Sequence, residues 1–436
     1  MLWSAVSAEG RIMTLKECIL TGIENNLTIA NARLEITNSR EGVSENRARL
    51  LPVINGVIQF TDYLKRPVNV TTGTLLGNDF PDDPTWQTIR SMQYNAGAGV
   101  QLTMPLFDRN ISAAIDVAKT VERLSRLSYE QGVEELTMQI GKVYFLAQSS
   151  LEQASLTEEN IGRMTELCAI TEAMYDEGTV LEVDVNRVRI NLRNLETQLD
   201  GLKAMYSRQV NMLRFLMDLP PEAPVDVERM TETLESAAMS GISETLPELL
   251  SAQTRKELVA RNITAVKAGY LPRLSLTGYA GGLGYQEKFS HFFHTRDAGR
   301  NLFGNCFIGF NLTIPIFDAN SRKFKIRRQR IMADQAENSI RQLRERLSRD
   351  YSDAMLQISH SMNVYRTQSL CYRQAKDVYE VTEEQYREGV ASMTAILQDE
   401  MQLRTAQTAC VEAHCRYDLA RLDLLKLSGN LAILTE

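Results

Sequence analysis

A nine-residue segment that occurs twice constrains this chain of 436 residues more than any other feature. The sequence LTMPLFDRN at 102–110 returns almost unchanged as LTIPIFDAN at 312–320. Other landmarks recur in the same order, including the sequences MYDEG at 174–178 and QYREG at 385–389. A repeat at such a long period reports the architecture of the whole chain. We therefore predict an internal duplication.

The two halves have the same predicted order of elements: helix, strand, long loop, strand, very long helix, tight turn, helix. The first structural repeat covers residues 14–219 and the second covers residues 242–430. Residues 220–241 form the predicted linker, which begins with two prolines, Pro220 and Pro221. Prolines are typical of a segment that leaves regular structure.

Four segments alternate between apolar and small polar residues with a period of two, which predicts β-strands. In the last of them, Ile308 and Phe310 oppose Gly309 and Asn311. The predicted strands are residues 53–63, 94–106, 273–284 and 305–316. Strands of this length with one apolar face are typical of a membrane β-barrel wall. A sheet packed on a soluble core gives the same alternation, so the pattern alone leaves both open.

The remaining length of each half is predicted to be helical. No proline occurs between Pro105 and Pro220, and none occurs after Pro315. Apolar residues in the runs 111–175 and 322–386 recur at steps of three and four, as in coiled coils and helix bundles. A helix of that length extends about 100 Å. Helices this long do not belong to a compact globule.

Four strands are too few to close a membrane barrel, because the smallest single-chain barrels have eight. An open sheet in lipid would leave unpaired edges, which hydrocarbon does not tolerate. If these strands cross a membrane, several chains must share one barrel, and three chains would supply twelve strands. The sequence therefore links membrane insertion to oligomerisation.

Leu51-Pro52 and Leu271-Pro272 precede the first and third predicted strands. The ordered combination of these Leu-Pro pairs, the LTxPxFD segments and the Tyr-x-x-Gly turns resembles the TolC-type outer membrane efflux proteins over nearly the whole chain. The resemblance implies a mixed α and β membrane protein and a homotrimer. Its twelve-stranded β-barrel would lie in the outer membrane of a Gram-negative bacterium, among outer membrane lipids. Long antiparallel helices would form an α-barrel in the periplasm.

The same resemblance implies a passive exit duct of a tripartite efflux or type I secretion system. An inner-membrane transporter would drive export through a periplasmic adaptor protein. The residues expected to contact the adaptor lie in the two turns at the periplasmic tip: Tyr175, Gly178, Thr179, Gly389 and Val390. Glycine suits a helix reversal, because such a turn commonly needs a positive φ. The alternative is a pair of plain interhelical turns without a partner.

A periplasmic gate is a further implication of the resemblance. In the family the tip is held shut by hydrogen bonds, and the pair of one tyrosine and one aspartate corresponds here to Tyr386 and Asp184. A phenol that donates to a carboxylate forms a charge-assisted bond. The alternative is that Tyr386 and Asp184 are two unrelated surface residues.

The chain departs from the family pattern near this gate. The position of the family's gate arginine is Ala391, and its ring of aspartates falls on Ala395 and Gln398. Asp399 and Glu400 follow directly, but an offset of one residue turns a helical side chain by about 100°. We therefore expect no strongly cation-binding constriction at this level.

Pro105 and Pro315 mark the predicted junctions where a strand passes into a long helix. The basic segment SRKFKIRRQR, residues 321–330, follows the second junction. In an outer membrane protein these cations would lie near anionic lipid headgroups. A solvated helix face is the alternative.

Other classes of function find little support. A net charge of −7 argues against nucleic-acid binding. The six cysteines have no zinc-site spacing, and His291 with His294 makes only a weak metal site. We expect no enzyme activity and no cofactor, because no catalytic set can be assembled. Ala5 to Ala8 fit the end of a secretory signal, although an ordinary N-terminus fits too. The alternative from another class is a non-membrane coiled-coil rod with a small β head.

Overall fold

The computed structural model describes residues 11–72, 86–231, 241–293 and 302–435. The possible cleavage site at residues 5–8 and His294 lie outside the described residues. The strands are β1 (Arg11–Met13), β2 (Val53–Asp62), β3 (Val68–Thr72), β4 (Trp86–Arg90), β5 (Tyr94–Phe107), β6 (Val225–Val227), β7 (Arg273–Gln286) and β8 (Leu302–Thr313). The α-helices are α1 (Leu15–Asn25), α2 (Leu27–Ala48), α3 (Arg109–Asp176), α4 (Glu182–Leu216), α5 (Pro247–Ala268), α6 (Ser321–Arg387) and α7 (Met393–Ser428).

The predicted fold class of four long strands with very long helices is confirmed. The helix α3 contains 68 residues and α6 contains 67, each without a break. Both begin and end within two residues of the helical runs read from the sequence. No helix among the described residues has the length and apolar character that a membrane span requires.

Three details of the strands differ from the predictions. The strand β8 ends at Thr313, before Pro315, whereas the sequence suggested a strand through residue 316. Pro315 lacks the N–H group that would continue the ladder. The predicted loop at 64–93 contains the β3–β4 hairpin, and the short strands β1 and β6 pair in parallel. Strands of three to five residues are too short for a period of two to be recognised.

The chain divides into two compact units. One unit comprises Met1–Asn38, Arg123–Lys256 and Gln335–Glu436, and the other comprises Ser39–Glu122 and Glu257–Asp334. We call them the helical unit and the sheet unit.

The sheet unit contains an antiparallel four-stranded sheet in the order β2-β5-β7-β8. Within the described residues, β2 and β8 each have a partner on one side only, so both are edge strands. Large apolar side chains on these edges are exposed, among them Ile58, Ile308 and Phe310. The sheet therefore leaves apolar surface and hydrogen-bonding edges without partners in the described part of the chain.

The opposite face of the sheet is more polar. A groove of about 470 Å³ on it is lined by residues that include Gln59, Gln101, Thr277 and Asn305. The glycines of β5 and β7 have a steric purpose here. A Cβ added at Gly99 would lie 2.6 Å from the hydroxyl oxygen of Tyr279. This glycine gives the tyrosine room across the sheet, as close backbone approach commonly requires.

The helical unit has two main apolar clusters. One surrounds the β1–β6 pair, where the buried Tyr144 hydroxyl donates to the carbonyl oxygen of Met13 at 3.0 Å. The other packs α3, α4, α6 and α7 together near the two interhelical turns, and its buried members are Met164, Leu167, Cys168, Val188, Leu195, Tyr379, Tyr386, Met393, Ile396 and Leu403. We call the second one the tip cluster.

Candidate functional site

The two interhelical turns have the same backbone geometry. Gly178 and Gly389 have φ angles of 76° and 77°, in the left-handed region that favours glycine. In the first turn, the amide of Gly178 donates to the carbonyl of Tyr175 and that of Thr179 donates to the carbonyl of Met174. This pair of bonds defines a Schellman motif. The sequence prediction that a glycine with positive φ makes each reversal is confirmed.

The second turn repeats the motif with the same offsets. The amide of Gly389 donates to the carbonyl of Tyr386, and the amide of Val390 donates to the carbonyl of Gln385. Beyond the turn, the Ser392 side chain accepts a hydrogen bond from the Ala395 amide and caps α7. Apart from the adjacent residues, no atom of the described part of the chain lies within 4 Å of a Cβ added at either turn glycine, so the described residues do not enclose the turns.

The tyrosines that precede the two glycines have opposite environments. Tyr175 is 44% exposed, whereas Tyr386 is 3% exposed and belongs to the tip cluster. Val390 and Leu181 are also exposed, so each turn presents apolar surface. A contiguous exposed apolar surface commonly marks a site of protein interaction.

The hydroxyl of Tyr386 lies 3.3 Å from the hydroxyl of Thr171 on α3. Thr171 donates its own hydrogen to the carbonyl of Leu167 at 2.8 Å. Because each hydroxyl has a single hydrogen, Tyr386 is the donor in its bond to Thr171. This bond connects α6 to α3 inside the tip cluster.

Asp184, the predicted partner of Tyr386, lies at the start of α4 and accepts a hydrogen bond from Arg187 at 3.1 Å. Burial raises the pKa of Tyr386 above its ordinary value, and the negative charge of Asp184 acts in the same direction. The charge of Asp184 therefore acts on the phenol of Tyr386. A hydrogen bond between them stays a prediction.

Two arginines that the sequence analysis did not identify connect the helices beside the turns. Arg387 lies 2.6 Å from Glu166, which pairs α6 with α3. Arg189 donates two hydrogen bonds to Glu172, which pairs α4 with α3 and lowers the pKa of that carboxyl group. Exposed ion pairs are screened by solvent and contribute little to stability, so they can break and form again at little cost.

The level of the family's aspartate ring has a different chemistry here. Ala391 and Ala395 are partly exposed and Gln398 is exposed. Asp399 accepts a hydrogen bond from Thr382 at 2.7 Å, and Glu400 is buried 3.0 Å from Arg404. Burial raises the pKa of Glu400. The acidic side chains Asp399 and Glu400, next to the position of the aspartate ring, therefore interact with other residues of the same chain.

The two strand–helix junctions differ from each other. Pro105 lies inside β5 opposite Ser275, at an irregularity of the ladder before Phe107. Pro315 lies beyond the end of β8, and the positive φ angles of Ala319 and Asn320 precede α6. The aspartate that follows each proline caps a helix. Asp108 accepts from the Asn110 amide at 2.9 Å, and Asp318 accepts from the Arg322 amide at 3.2 Å.

The described residues contain no group of three or more histidine, cysteine, aspartate or glutamate side chains placed to hold a metal ion. His291 lies in a short 3₁₀ helix, Phe289–Phe292. All six cysteines are free, and Cys306 on β8 is exposed.

Comparison with known proteins places these features in a family. The family model described as outer membrane efflux protein matches residues 21–218 and again residues 241–430. The toluene efflux pump outer membrane protein TtgC of Pseudomonas putida is 22% identical over 95% of this chain and 83% of its own length. The pyoverdine export outer membrane protein OpmQ of Pseudomonas aeruginosa is 21% identical over 71% of this chain and 65% of its own length.

Solved structures share the fold. The outer membrane channel CmeC of Campylobacter jejuni has a TM-score of 0.74 and 17% identity, over 98% of this chain and 91% of its own. The open state of the MtrE outer membrane channel of Neisseria gonorrhoeae has a TM-score of 0.73 and 18% identity, over 100% of this chain and 95% of its own. The family match across both halves and the shared fold lead to one conclusion: this chain belongs to the outer membrane efflux protein family and is an efflux channel protein of the Gram-negative outer membrane.

Proposed function

We propose that three copies of this chain form one exit duct. The open sheet with two apolar edge strands, β2 and β8, is the observation that carries this proposal. Unpaired strand edges are not tolerated in hydrocarbon, and a closed barrel removes them. When β8 of each copy pairs with β2 of the next, three sheets close into twelve strands, within the range of known membrane barrels.

The two faces of the sheet suit two surroundings. Exposed apolar side chains such as Ile58, Ile308 and Phe310 contact outer membrane lipids in the proposed assembly. The groove lined by Gln59, Gln101 and Thr277 faces the lumen. Apolar-out and polar-in alternation is the rule for barrels that enclose water.

The duct performs no chemistry in this proposal, and it uses no cofactor. Several relatives are named as outer membrane proteins of efflux pumps. By analogy, an inner-membrane transporter drives export and a periplasmic adaptor protein docks on the turns. The exposed residues Tyr175, Leu181 and Val390 give the adaptor an apolar surface to contact.

The tip cluster acts as the gate. Tyr386 donates its single hydrogen to Thr171 in the present conformation, and Asp184 is the competing acceptor nearby. The ion pairs of Arg387 with Glu166 and of Arg189 with Glu172 hold the same helices together. Weak bonds of this kind suit a gate that an adaptor can open without breaking the apolar core.

Native Cys306 allows a direct test of the edge pairing, because it is exposed on β8. The ladder aligns Cys306 with Ala280, Ala280 with Val100 and Val100 with Gly56 on β2. Single cysteines are introduced along β2 from residue 56 to residue 62, and the membranes are oxidised. We expect crosslinked chains at one or two neighbouring positions. A barrel strand can shift its register against the next copy, so the scan covers several residues.

The matched controls are Cys306→Ser in each variant and a cysteine at Val100, which lies on a central strand. Both should abolish the crosslink. Without oxidant, the protein extracted in detergent should migrate as a heat-modifiable trimer. A monomer that dissolves without detergent and forms no crosslink at any position would contradict the proposal.

A further inference from the structure

The start of α6 carries a cluster of exposed positive charges directly after the last strand of the sheet. We call it the cationic surface, and its members are Lys323, Lys325, Arg327, Arg328 and Arg330. The whole chain has a net charge of −7, so this concentration of cations is local. Blocks of like charge repel each other and commonly mark an interaction surface.

No carboxylate in the described part of the chain neutralises these five cations. None of them lies within 4.0 Å of an acidic side chain there, the distance that defines an ion pair. Arg322 is different, because its guanidinium lies 3.4 Å from Asp318 and 5.3 Å from the ring centroid of Tyr270. Arg322 thus packs the strand–helix junction, and the cationic surface has no comparable structural task.

The cations are arranged around exposed apolar residues. Lys323, Arg327 and Arg330 follow each other at steps of four and three, so they share one face of the helix. Phe324 and Ile331, seven residues apart, lie beside that face and are 59% and 54% exposed. Basic residues beside bulky apolar ones are typical of a helix that lies at a membrane interface.

Helix stability does not explain the cations. The first turn of α6 contains no acidic residue, and positive charges at a helix N-terminus oppose the macrodipole. The corresponding segment of the first repeat, ISAAIDVAKT at 111–120, has Lys119 as its single basic residue. Ala113, the counterpart of Lys323, is buried. The cationic surface is therefore specific to the second repeat.

The chain order around this surface matches the order of layers in a bilayer. The apolar residues of β8 come first, among them the exposed Phe310 and Leu312. Ile316 and Phe317 follow, at 94% and 82% exposed, and the cations come next. A chain that leaves hydrocarbon passes an aromatic belt and then the headgroups, where basic residues are attracted to anionic lipids.

We propose that the cationic surface binds anionic glycerophospholipids of the periplasmic leaflet. The headgroup phosphate accepts hydrogen bonds from Lys323, Arg327 and Arg330, while Phe324 and Ile331 contact the upper acyl chains. This inference rests on the proposed placement of the sheet in the outer membrane. The competing occupant is a second copy of the chain, because α2 exposes Glu41 and Glu45.

The test uses the full-length protein, purified in detergent and incubated with equal amounts of phosphatidylglycerol and phosphatidylcholine. Native mass spectrometry then counts the lipids that each trimer retains. The variant removes three charges by Lys323→Gln, Arg327→Gln and Arg330→Gln. Its matched control removes three exposed charges farther along α6 by Arg366→Gln, Arg373→Gln and Lys376→Gln.

We expect the wild type and the control to retain phosphatidylglycerol over phosphatidylcholine. The variant should retain at least about fivefold less phosphatidylglycerol, the factor that one cation contributes at an anionic surface. Equal retention by the variant and the control would overturn the proposal.

A variant that dissociates into monomers would also overturn it and would assign the surface to a second copy. Glu41→Gln with Glu45→Gln would then cause the same dissociation. Failure of the wild type itself to form trimers would contradict the proposed function instead, whatever lipids the monomer retains.

Discussion

The two interhelical turns of the helical unit share a backbone and differ in their surroundings. Gly178 and Gly389 have nearly the same φ angle and close the same pair of Schellman hydrogen bonds. Tyr175 before the first glycine is 44% exposed, whereas Tyr386 before the second is buried and bonded to Thr171. The local sequence thus makes the turn, and the packing of distant helices buries only one of the two tyrosines.

The largest expected difference between the turns concerns their tyrosines. Tyr386→Ala should destabilise the tip by about 3–5 kcal/mol, because it removes a buried aromatic side chain and leaves a cavity. Tyr175→Ala, the matched control, should cost less than about 1 kcal/mol at its exposed position. Hydrogen exchange measures both effects, through the amides of α6 and α7 near the turn for Tyr386 and those of α3 and α4 near the turn for Tyr175. Equal effects would show that burial does not distinguish the turns.

The two turn glycines should respond alike to substitution, because the two turns share one backbone conformation. Gly178→Ala and Gly389→Ala should each cost about 1–2 kcal/mol, because an L-residue is strained at positive φ. Gly201→Ala is the control, since Gly201 lies within α4 and a Cβ there meets no atom within 4 Å. It should be neutral or stabilising by up to about 1 kcal/mol. The rate of limited proteolysis at the turns ranks the variants by their loss of local stability. If Gly389→Ala does not change this rate, the strain argument is contradicted.

A smaller effect is expected from the hydroxyl of Tyr386 alone. Tyr386→Phe removes one hydrogen bond, worth about 0.5–1.5 kcal/mol, and should raise single-channel conductance in a planar bilayer. Thr171→Val removes the acceptor and should act in the same direction. Tyr175→Phe should leave conductance unchanged. If Tyr386→Phe also leaves it unchanged, the hydroxyl has no part in the gate.

The smallest effect in ordinary buffers is that of pH. Burial raises the pKa of Tyr379 to about 12 and also raises that of Tyr386. When the pKa of a tyrosine is higher in the folded protein than in the unfolded one, its neutral form stabilises the fold. This stabilisation is complete below the unfolded pKa of about 10 and is lost as the pH rises toward the folded pKa. The tip should therefore loosen between pH 10 and 12. A pH titration that records tyrosinate absorbance and hydrogen exchange in parallel tests this prediction. Ionisation of all tyrosines near pH 10 would contradict the prediction.

Much of the fold was predictable because its signals are local. The four strands of the main sheet and the two long helices follow from periods of two and of three to four, and from the positions of proline. The β1–β6 pair was not predictable, since three-residue strands have no period and their partners lie far apart in sequence. The helix caps Asp108 and Asp318 were predictable, because an aspartate just before a helix commonly accepts hydrogen bonds from the first backbone amides of that helix.

The candidate site was only partly predictable. Family resemblance identified Tyr386 and Asp184 but gave no indication of Thr171, Glu166 or Arg387. These residues carry no motif, and each matters through a partner on another helix. Family membership also removes the alternative of a non-membrane rod, which the sequence pattern had left open.

The sequence by itself determined the number of long strands, the length of the helices and the positive φ of the turn glycines. Each of these depends on interactions between residues a few positions apart. The tertiary structure decided which tyrosine is buried and where its hydrogen goes. Tyr386 and Thr171 are 215 positions apart, so no local pattern could predict their contact. The tertiary structure also made β2 and β8 the edges of the sheet, because among the described residues each pairs with one strand only.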